Sequence, residues 1–446
     1  MTKTSRKRIL ARAGAVAMAA SLAVAAAACS SSSSATSNSS GSISGQTITY
    51  WGSVEGTGPQ QSTQALTAQF AKFTKQTGVH VNLQVIPWAD LLQKILTSVT
   101  SGNGPDVMEI GNTWTPTFAA SGGFVSFTPS VLSEIGGSAK FSQAALSVTG
   151  APGKAPISIP VYSEAYGLFY NKADFTAAGI SGPPSSWTQF LADANKLSTD
   201  GRYGVAIEGA STSEAAHWAF LLGEQNANPL YANGKWNFAT AQEAKAVSLY
   251  VNLVADGAAN KSDAESNSNV SESEFASNKA AMLLWQNPMS TLSQLGMKTS
   301  AYGIAPIPVA SPLPSGGKAV ETFPAGINLA VPSSSTHQAA ALALVKYLTS
   351  PSAQIQLNQT YGTFPPVLAA QASPLFQTPG QKTLESIYNN HSTPLPPVPS
   401  ESTMETDLGG GITHLIGSAA TGGAVSESKI LAALTSAQDQ LNAASG

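Results

Sequence analysis

The alternation of apolar and polar residues in the first third of the chain predicts strands separated by helices. Residues 79–85 are apolar at every second position, as expected of a strand with one buried face. Leu66, Phe70 and Phe73 recur at the spacing of one helical face, and Gly78 follows as a helix terminator. A second helix and a third strand complete the order strand, helix, strand, helix, strand over residues 47–110.

This order is typical of a parallel, doubly wound α/β sheet. Ligands of such sheets bind outside the carboxyl ends of the strands. In this chain those ends fall at residues 51–55, 86–88 and 111–114, and each of the three loops contains a tryptophan. We therefore expect a ligand site at this edge of the sheet.

The rest of the chain shows further segments with the same two periodicities. Asn233-Gly234 predicts a two-residue hairpin turn of type I′. The segments predicted as extended are 157–162, 167–170, 204–208, 280–285 and 326–331, and those predicted as helical are 187–197, 338–348 and a last helix from about residue 426.

Length and composition narrow the class of protein. A chain of 446 residues is too long for one ordinary core, so two lobes are expected. Without the basic leader, 17 basic residues face 25 acidic ones, a net charge of −8. A net negative charge argues against nucleic-acid binding, which needs a patch of basic residues on the surface. The single cysteine excludes a disulfide within the chain.

The amino terminus resembles the leader of a bacterial lipoprotein. Basic residues are followed by 16 uncharged residues, 13–28, and then by Cys29 and a serine tract. The resemblance implies a signal peptide over residues 1–28, a lipid-modified Cys29 and a flexible tether over 29–45. The apolar run is short for a spanning helix. An ordinary secretory signal that leaves a free thiol is the alternative.

Several motifs occur in an order and at spacings that resemble one family. They are residues 101–107 (SGNGPDV), 121–129 (SGGFVSFTP), 159–175, 183–190 (PPSSWTQF), 279–282 (KAAM) and 347–351 (YLTSP). Together they resemble the extracellular solute-binding proteins of ABC importers, in the group built like the maltose-binding protein. The resemblance covers nearly the whole chain after the leader.

The resemblance implies a two-lobe, periplasmic-binding-protein-like α/β fold of type II. Each lobe would contain a doubly wound sheet, and two or three crossing segments would form a hinge. Residues 46–158 and 307–350 would form lobe 1, and residues 159–306 and 351–446 would form lobe 2. Hinge closure on a ligand would produce the form that the permease recognises.

A sugar site needs aromatic faces and planar hydrogen-bonding groups. The loop Asn112, Thr113 and Trp114 aligns with a ligand-contacting loop of the family, and Glu164 aligns with a ligand-contacting glutamate. A helix cap with a packing tryptophan and a solvated or hinge-paired carboxylate are the respective alternatives. The other candidates, chosen by position, are Ser53, Glu55, Glu208, Trp218, Trp285, Asn287, Phe323 and Gly326.

The resulting hypothesis is a lipid-anchored receptor on the outer face of the cell membrane. It would capture an oligosaccharide, with a disaccharide favoured, and deliver it to the transmembrane subunits of an ABC permease. We expect a monomer without catalytic residues, cofactor, metal or nucleic-acid partner. A binding protein for a non-sugar solute is the first alternative, and an exported glycoside hydrolase with two carboxylates is the second.

Overall fold

A computed structural model describes residues 42–199, 201–267 and 269–444 of the chain. The leader, Cys29 and most of the expected tether lie outside the described residues. The compact unit begins at Ile43, which packs against a core of the first lobe. The backbone N–H of Gly45 donates to the carbonyl of Gly78 at 2.9 Å. The last residues of the segment 29–45 therefore belong to the folded unit, which corrects the expected end of the tether.

The strands of the described residues follow the chain in two main groups. They are β1 (Thr47–Ser53), β2 (His80–Ile86), β3 (Val107–Gly111), β4 (Ser158–Glu164), β5 (Tyr166–Asn171), β6 (Tyr203–Ala206), β7 (Tyr231–Ala232), β8 (Lys235–Trp236), β9 (Ala280–Gln286), β10 (Tyr302–Ala305) and β11 (Ala325–Ala330).

Helices occupy most of the intervals between these strands. They are α1 (Pro59–Thr77), α2 (Trp88–Ser101), α3 (Thr115–Ser121), α4 (Pro129–Glu134), α5 (Gln143–Leu146), α6 (Lys172–Ala177), α7 (Trp187–Leu197), α8 (Thr212–Gln225), α9 (Ala241–Val251), α10 (Val270–Ala276), α11 (Met289–Gln294), α12 (Gln338–Leu348), α13 (Pro351–Tyr361), α14 (Leu368–Gln371), α15 (Pro379–Asn390), α16 (Glu401–Gly422) and α17 (Glu427–Ala444). Short 3-10 helices cover Asn112–Trp114, Ser138–Lys140, Lys261–Glu265 and Pro374–Phe376.

The first lobe is built on a five-stranded sheet in the order β2-β1-β3-β11-β4. The strands β2, β1 and β3 are parallel, which confirms the arrangement predicted from residues 47–110. Leu66, Phe70 and Phe73 of α1 are buried against this sheet, as their spacing predicted. The carboxyl ends of β1 and β3 consequently lie side by side at one edge.

The second lobe is built on a four-stranded mixed sheet in the order β10-β5-β9-β6. Only the pair of β6 and β9 is parallel. The helices α8, α9, α16 and α17 pack with this sheet in one large core. The separate hairpin of β7 and β8 turns at Asn233-Gly234, both with positive φ, as the sequence predicted.

Helix α16 was not predicted, because three consecutive glycines interrupt its sequence. Gly409 explains one of them. A Cβ atom at this position would lie 1.9 Å from the carbonyl oxygen of Thr212, so the missing side chain allows α16 to approach α8 closely. The intrinsic helix propensity of a residue has a small effect, and tertiary packing of this kind outweighs it.

The sheets place the lobe boundaries differently from the expected ones. Strand β4 pairs with β11 in the first sheet, so the first crossing follows Glu164 rather than residue 158. Ile307 and Val320 lie in the core of the second lobe, and the second crossing therefore comes just before β11. Helix α13 packs in the core of the first lobe through Leu357, so the third crossing lies between α14 and α15. Among residues 42–199, 201–267 and 269–444, no helix has the length and apolar character needed to span a bilayer.

Candidate functional site

The two lobes meet across a cleft at the carboxyl ends of β1 and β3. On the first lobe the 3-10 turn after β3 (residues 112–114) lies at this junction, and Glu164 interacts electrostatically both with Glu55 in the loop after β1 and with Glu214 on α8. On the second lobe the start of α16 lies at the junction. The backbone N–H of Ser402 donates to Thr117 Oγ1 at 3.3 Å, so the starts of α3 and α16 are in direct contact.

Trp114 connects the two lobes directly. Its indole Nε1 donates to Glu405 Oε2 at 2.9 Å, and its side chain is buried. The ring of Trp88 packs edge-on against it, with the ring centroids 5.4 Å apart. Asn112 donates from Nδ2 to the carbonyl of Pro324 at 2.7 Å, which holds the segment before β11 against this turn.

His217 lies between two carboxylates of the second lobe. Its Nε2 is 2.9 Å from Glu405 Oε1, and its Nδ1 is 3.9 Å from Glu214 Oε1. Burial by itself disfavours a charged imidazole, but the hydrogen bonds and negative charges of Glu214 and Glu405 raise the pKa of His217 to about 9. His217 is therefore a cation at neutral pH, and Phe323 packs on its ring at a centroid distance of 4.4 Å.

Glu405 and Glu401 are one turn apart on α16 and have opposite environments. Burial by itself raises the pKa of Glu405, but the hydrogen bond and the charge of His217 hold it below its usual range. Glu401 is fully buried, and neither of its carboxyl oxygens has a hydrogen-bond partner. Burial, followed by the negative charge of Glu405, raises the pKa of Glu401 well above its usual range.

A cavity of about 360 Å³ opens beside Glu401. Asn112, Thr113 and Phe323, three of the residues expected from the sequence, line its wall. The remaining wall comes from Pro116, Pro156 and residues 146–154 of the first lobe, with Lys154 among them, and from the proline-rich segment 394–397 of the second lobe. The cavity is thus bounded by both lobes, as a ligand site between them requires.

The loop after β1 carries a separate carboxyl cluster, which lies within the first lobe. Ser53 Oγ lies 2.7 Å from Glu55 Oε1 and 2.6 Å from Glu109 Oε2. Because one hydroxyl has one proton to donate, one of the two carboxyl groups must be protonated. Burial, followed by the charges of Glu164 and Glu109, raises the pKa of Glu55 well above its usual range. Burial also raises the pKa of Glu109, but the hydrogen bonds that Glu109 accepts from Ser53 and Tyr50 oppose this rise, so the proton favours Glu55. Glu109 also accepts from the hydroxyl of Tyr50 at 2.6 Å.

Two other expected carboxyl groups lie near this region. Glu164 ends β4, where burial and then repulsion by Glu214 raise its pKa to about 7. Glu208 accepts from the backbone N–H and the hydroxyl of Ser271, while its other oxygen is buried without a partner. Burial raises the pKa of Glu208 and of Glu272; the charge of Glu214 adds to both shifts, and that of Glu208 adds to the shift of Glu272, so these three carboxyl groups lie near one another.

The other expected residues have structural positions. Trp218 is 1% exposed and stacks on Tyr250 in the second core, which corrects the expectation of a ligand contact. Trp285 is partly buried against a third apolar cluster. Asn287 accepts from the backbone N–H of Ala165 and so holds the first crossing segment. Gly326 has φ +147°, and a Cβ atom there would lie 2.2 Å from a backbone oxygen.

Sequence reasoning missed Glu109, Glu214, His217, Glu401 and Glu405. One of them carried a usable signal, since Ser211 and Glu214 have the spacing of a capping box at the start of α8. Ser211 does cap this helix, accepting from the backbone N–H of Glu214. Glu401 and Glu405 belong to the unpredicted helix α16. Among the residues that the structure describes, no group of histidine, cysteine and acidic side chains could hold a metal ion.

Comparison with known proteins identifies the family. The sequence profile described as bacterial extracellular solute-binding protein matches residues 57–355. The chain belongs to this family. The match includes the 3-10 turn after β3 and Glu164, and it begins two residues after the loop that follows β1.

Individual relatives are distant. A putative binding protein of Brucella abortus is 26% identical over 233 residues, which cover 52% of this chain and 56% of that protein. The diacetylchitobiose-binding protein DasA of Streptomyces coelicolor is 24% identical over 82% of this chain and 83% of its own length. A solute-binding protein of an ABC transporter from Agrobacterium radiobacter, solved with ribitol, superimposes with a TM-score of 0.76 at 21% identity, covering 90% of this chain and 99% of that chain. This structural likeness establishes the fold.

Proposed function

We propose that the protein is the substrate-binding component of an ABC importer for a sugar or polyol. The observation that carries this proposal is the cavity between the lobes, which joins Asn112 and Thr113 of one lobe to Glu401 of the other. Its volume of about 360 Å³ falls within the range of small-molecule sites. A ligand that contacts both walls would favour the closed arrangement of the lobes.

The chemistry of the cleft supports a hydroxyl-rich ligand. Asn112 and Thr113 bring polar side chains to the cavity wall, and Phe323 adds an aromatic side chain. DasA, which aligns over most of this chain, is named for a disaccharide, and the Agrobacterium protein was solved with a polyol. We infer that a disaccharide is the favoured ligand here.

We further propose that lipid modification of Cys29 anchors the protein outside the cytoplasm, where it works as a monomer beside the transmembrane subunits of its permease. A Cys29→Ser variant expressed in a bacterial host should be shed into the medium and should bind sugar as the wild type does. Retention of that variant at the membrane would contradict the anchor.

The binding proposal is tested by thermal-shift screening of the purified protein against sugars, polyols, amino acids and polyamines. A sugar or polyol that raises the melting temperature and is recovered unchanged supports the proposal. Recovered cleavage products would indicate a glycoside hydrolase, and a response to amino acids or polyamines alone would indicate another solute. Trp114→Ala and Glu164→Ala should abolish the ligand-induced shift, whereas Glu134→Ala, on an exposed helix outside the cleft, should not.

A further inference from the structure

The wall of the interlobe cavity contains one charged side chain without a partner. Two of its residues can carry a charge, Lys154 and Glu401. Glu401 is fully buried, and burial together with the charge of Glu405 raises its pKa well above its usual range, so Glu401 holds a proton at neutral pH. Glu405 is itself paired with His217. Among the described residues that line the cavity, the unpaired charge is therefore the ammonium group of Lys154.

A tight turn places Lys154 in the cavity wall. Its backbone N–H donates to the carbonyl of Ala151 at 3.1 Å, and Gly153 between them has φ +70°, a value that favours glycine. The side chain of Lys154 is exposed. In the part of the chain that the structure describes, its ammonium group has neither a hydrogen-bond acceptor nor a carboxylate beside it. Its three N–H donors are therefore available to a ligand.

The neutral polar side chains of the cavity wall direct their hydrogen-bond donors elsewhere. The hydroxyls of Ser147 and Thr149 donate to backbone carbonyls of their own turn, at 2.7 and 2.8 Å. The hydroxyl of Thr113 bonds to the carboxylate of Glu405, and Asn112 donates from Nδ2 to a backbone carbonyl at 2.7 Å. These side chains retain oxygen acceptors, to which the hydroxyls of a sugar can donate. A ligand group that only accepts hydrogen bonds is matched by the lysine ammonium group.

A carboxylate on the ligand fits this wall better than a phosphate. The wall supplies one positive charge, and a carboxylate brings one negative charge. A phosphate group carries about −1.5 to −2 at pH 7, so part of its charge would stay uncompensated. The ionised carboxylate of Glu405, which bonds to Thr113 in the same wall, would repel that excess.

We propose that the ligand of this cleft is a sugar or polyol that bears a carboxylate, bound with this group against Lys154. This inference rests on the proposed function and specifies its substrate class. An ion pair at a solvent-exposed lysine changes an affinity by about two- to fivefold, and one that the closed lobes shield from water changes it by more. The acid should therefore bind at least about threefold more tightly than the same molecule with a hydroxymethyl group in place of the carboxylate.

The test is calorimetric titration of the wild-type protein, near neutral pH and at low salt, with pairs that differ only in carboxylate against hydroxymethyl. Suitable pairs are glucuronate and glucose, gluconate and sorbitol, and lactobionate and lactitol. At least one acid should be preferred about threefold or more, and added salt should reduce this preference by screening the ion pair. Lys154→Gln should remove the preference and Lys154→Arg should keep it. Lys245→Gln, at an exposed lysine that does not line the cavity, should leave it unchanged.

The possible results separate the two proposals. Equal or tighter binding of the neutral members, or binding of other neutral sugars only, would overturn the carboxylate inference and leave the sugar-binding function intact. If no sugar or polyol binds, both proposals fail. Tighter binding of glucose 6-phosphate than of glucuronate would replace the carboxylate by a phosphate. A preference that survives in Lys154→Gln would show that the carboxylate does not lie against Lys154. Because Lys154 is exposed, its variants should fold, and their melting temperatures verify this.

Discussion

The two sides of the cleft stabilise their buried carboxyl groups in different ways. On the first lobe, Glu55 and Glu109 share the hydroxyl of Ser53 and have no cation beside them, so a proton replaces the missing charge. On the second lobe, His217 is charged and holds Glu405 ionised. The first cluster lies within one lobe, whereas the second also bonds to Trp114 and thereby connects the lobes.

The comparison shows which interactions can respond to a ligand. Bonds within one lobe are preserved when a hinge opens, because the lobe moves as a unit. A bond between lobes must break. We therefore assign the first cluster to the stability of the first lobe and the second to the closed arrangement.

The largest effect should come from His217→Leu. Removing the cation leaves Glu214 and Glu405 buried without compensation, a change that costs about 3–5 kcal/mol in comparable buried pairs. Denaturant unfolding of the variant and the wild type measures this loss. A loss below about 1 kcal/mol would mean that the two carboxyl groups are satisfied without His217.

Glu109→Gln should have an intermediate effect. The carboxylate accepts from the backbone N–H of Ser53 and from the hydroxyls of Tyr50 and Ser53, and the amide cannot keep all of these bonds. A lost acceptor in a buried site costs about 1–3 kcal/mol. The unfolding free energy should fall by this amount while the average separation of the lobes, measured by small-angle scattering, stays the same. A change in that separation would contradict the division of roles.

Stability should also fall as the pH rises, and Glu164 and His217 are two of the groups that contribute to the fall. Glu164, with its pKa raised to about 7 by burial and by Glu214, holds a proton in the folded state that the unfolded chain releases near pH 4.5. This contribution is complete below pH 4.5 and lost as the pH passes 7. The contribution of His217 is complete below pH 6.5 and lost as the pH passes 9.

Melting temperatures measured between about pH 5 and pH 9 test both contributions. Glu164→Gln should flatten the decline in the acidic half of this range, and His217→Leu should flatten it in the alkaline half. A wild-type melting temperature that rises over the range would show that other groups dominate.

The smallest change in stability is expected for Trp114→Phe. It keeps an aromatic ring but removes the Nε1 donor to Glu405, one bond between the lobes to a charged acceptor that keeps its bond to His217, so a loss near the lower limit of about 1.5 kcal/mol is expected. The ligand-free variant should have a larger radius of gyration than the wild type in small-angle scattering. Trp88→Phe, whose Nε1 donates to Val54 within the first lobe, is the matched control and should not change the radius. Equal radii in all three proteins would contradict the role of Trp114.

The sequence predicted the elements whose side chains alternate or recur regularly. The parallel strands β1, β2 and β3, helix α12 and the Asn233-Gly234 turn are confirmed. Helix α16 could not be predicted, since three consecutive glycines interrupt its sequence and the close approach of α8 that explains Gly409 is a contact between distant segments. The second cluster was missed for the same reason, because Glu405 meets Trp114 across nearly 300 positions of the chain, a proximity that no local pattern encodes.

The central claim is that a sugar or polyol binds between the lobes. The most direct measurement is a crystal structure of the protein with the sugar or polyol that raises its melting temperature most. We predict electron density for this ligand in the cavity, in contact with Asn112 or Thr113 on one lobe and the segment 394–397 on the other. A ligand bound outside the cleft, or in contact with one lobe only in a closed structure, would contradict the claim.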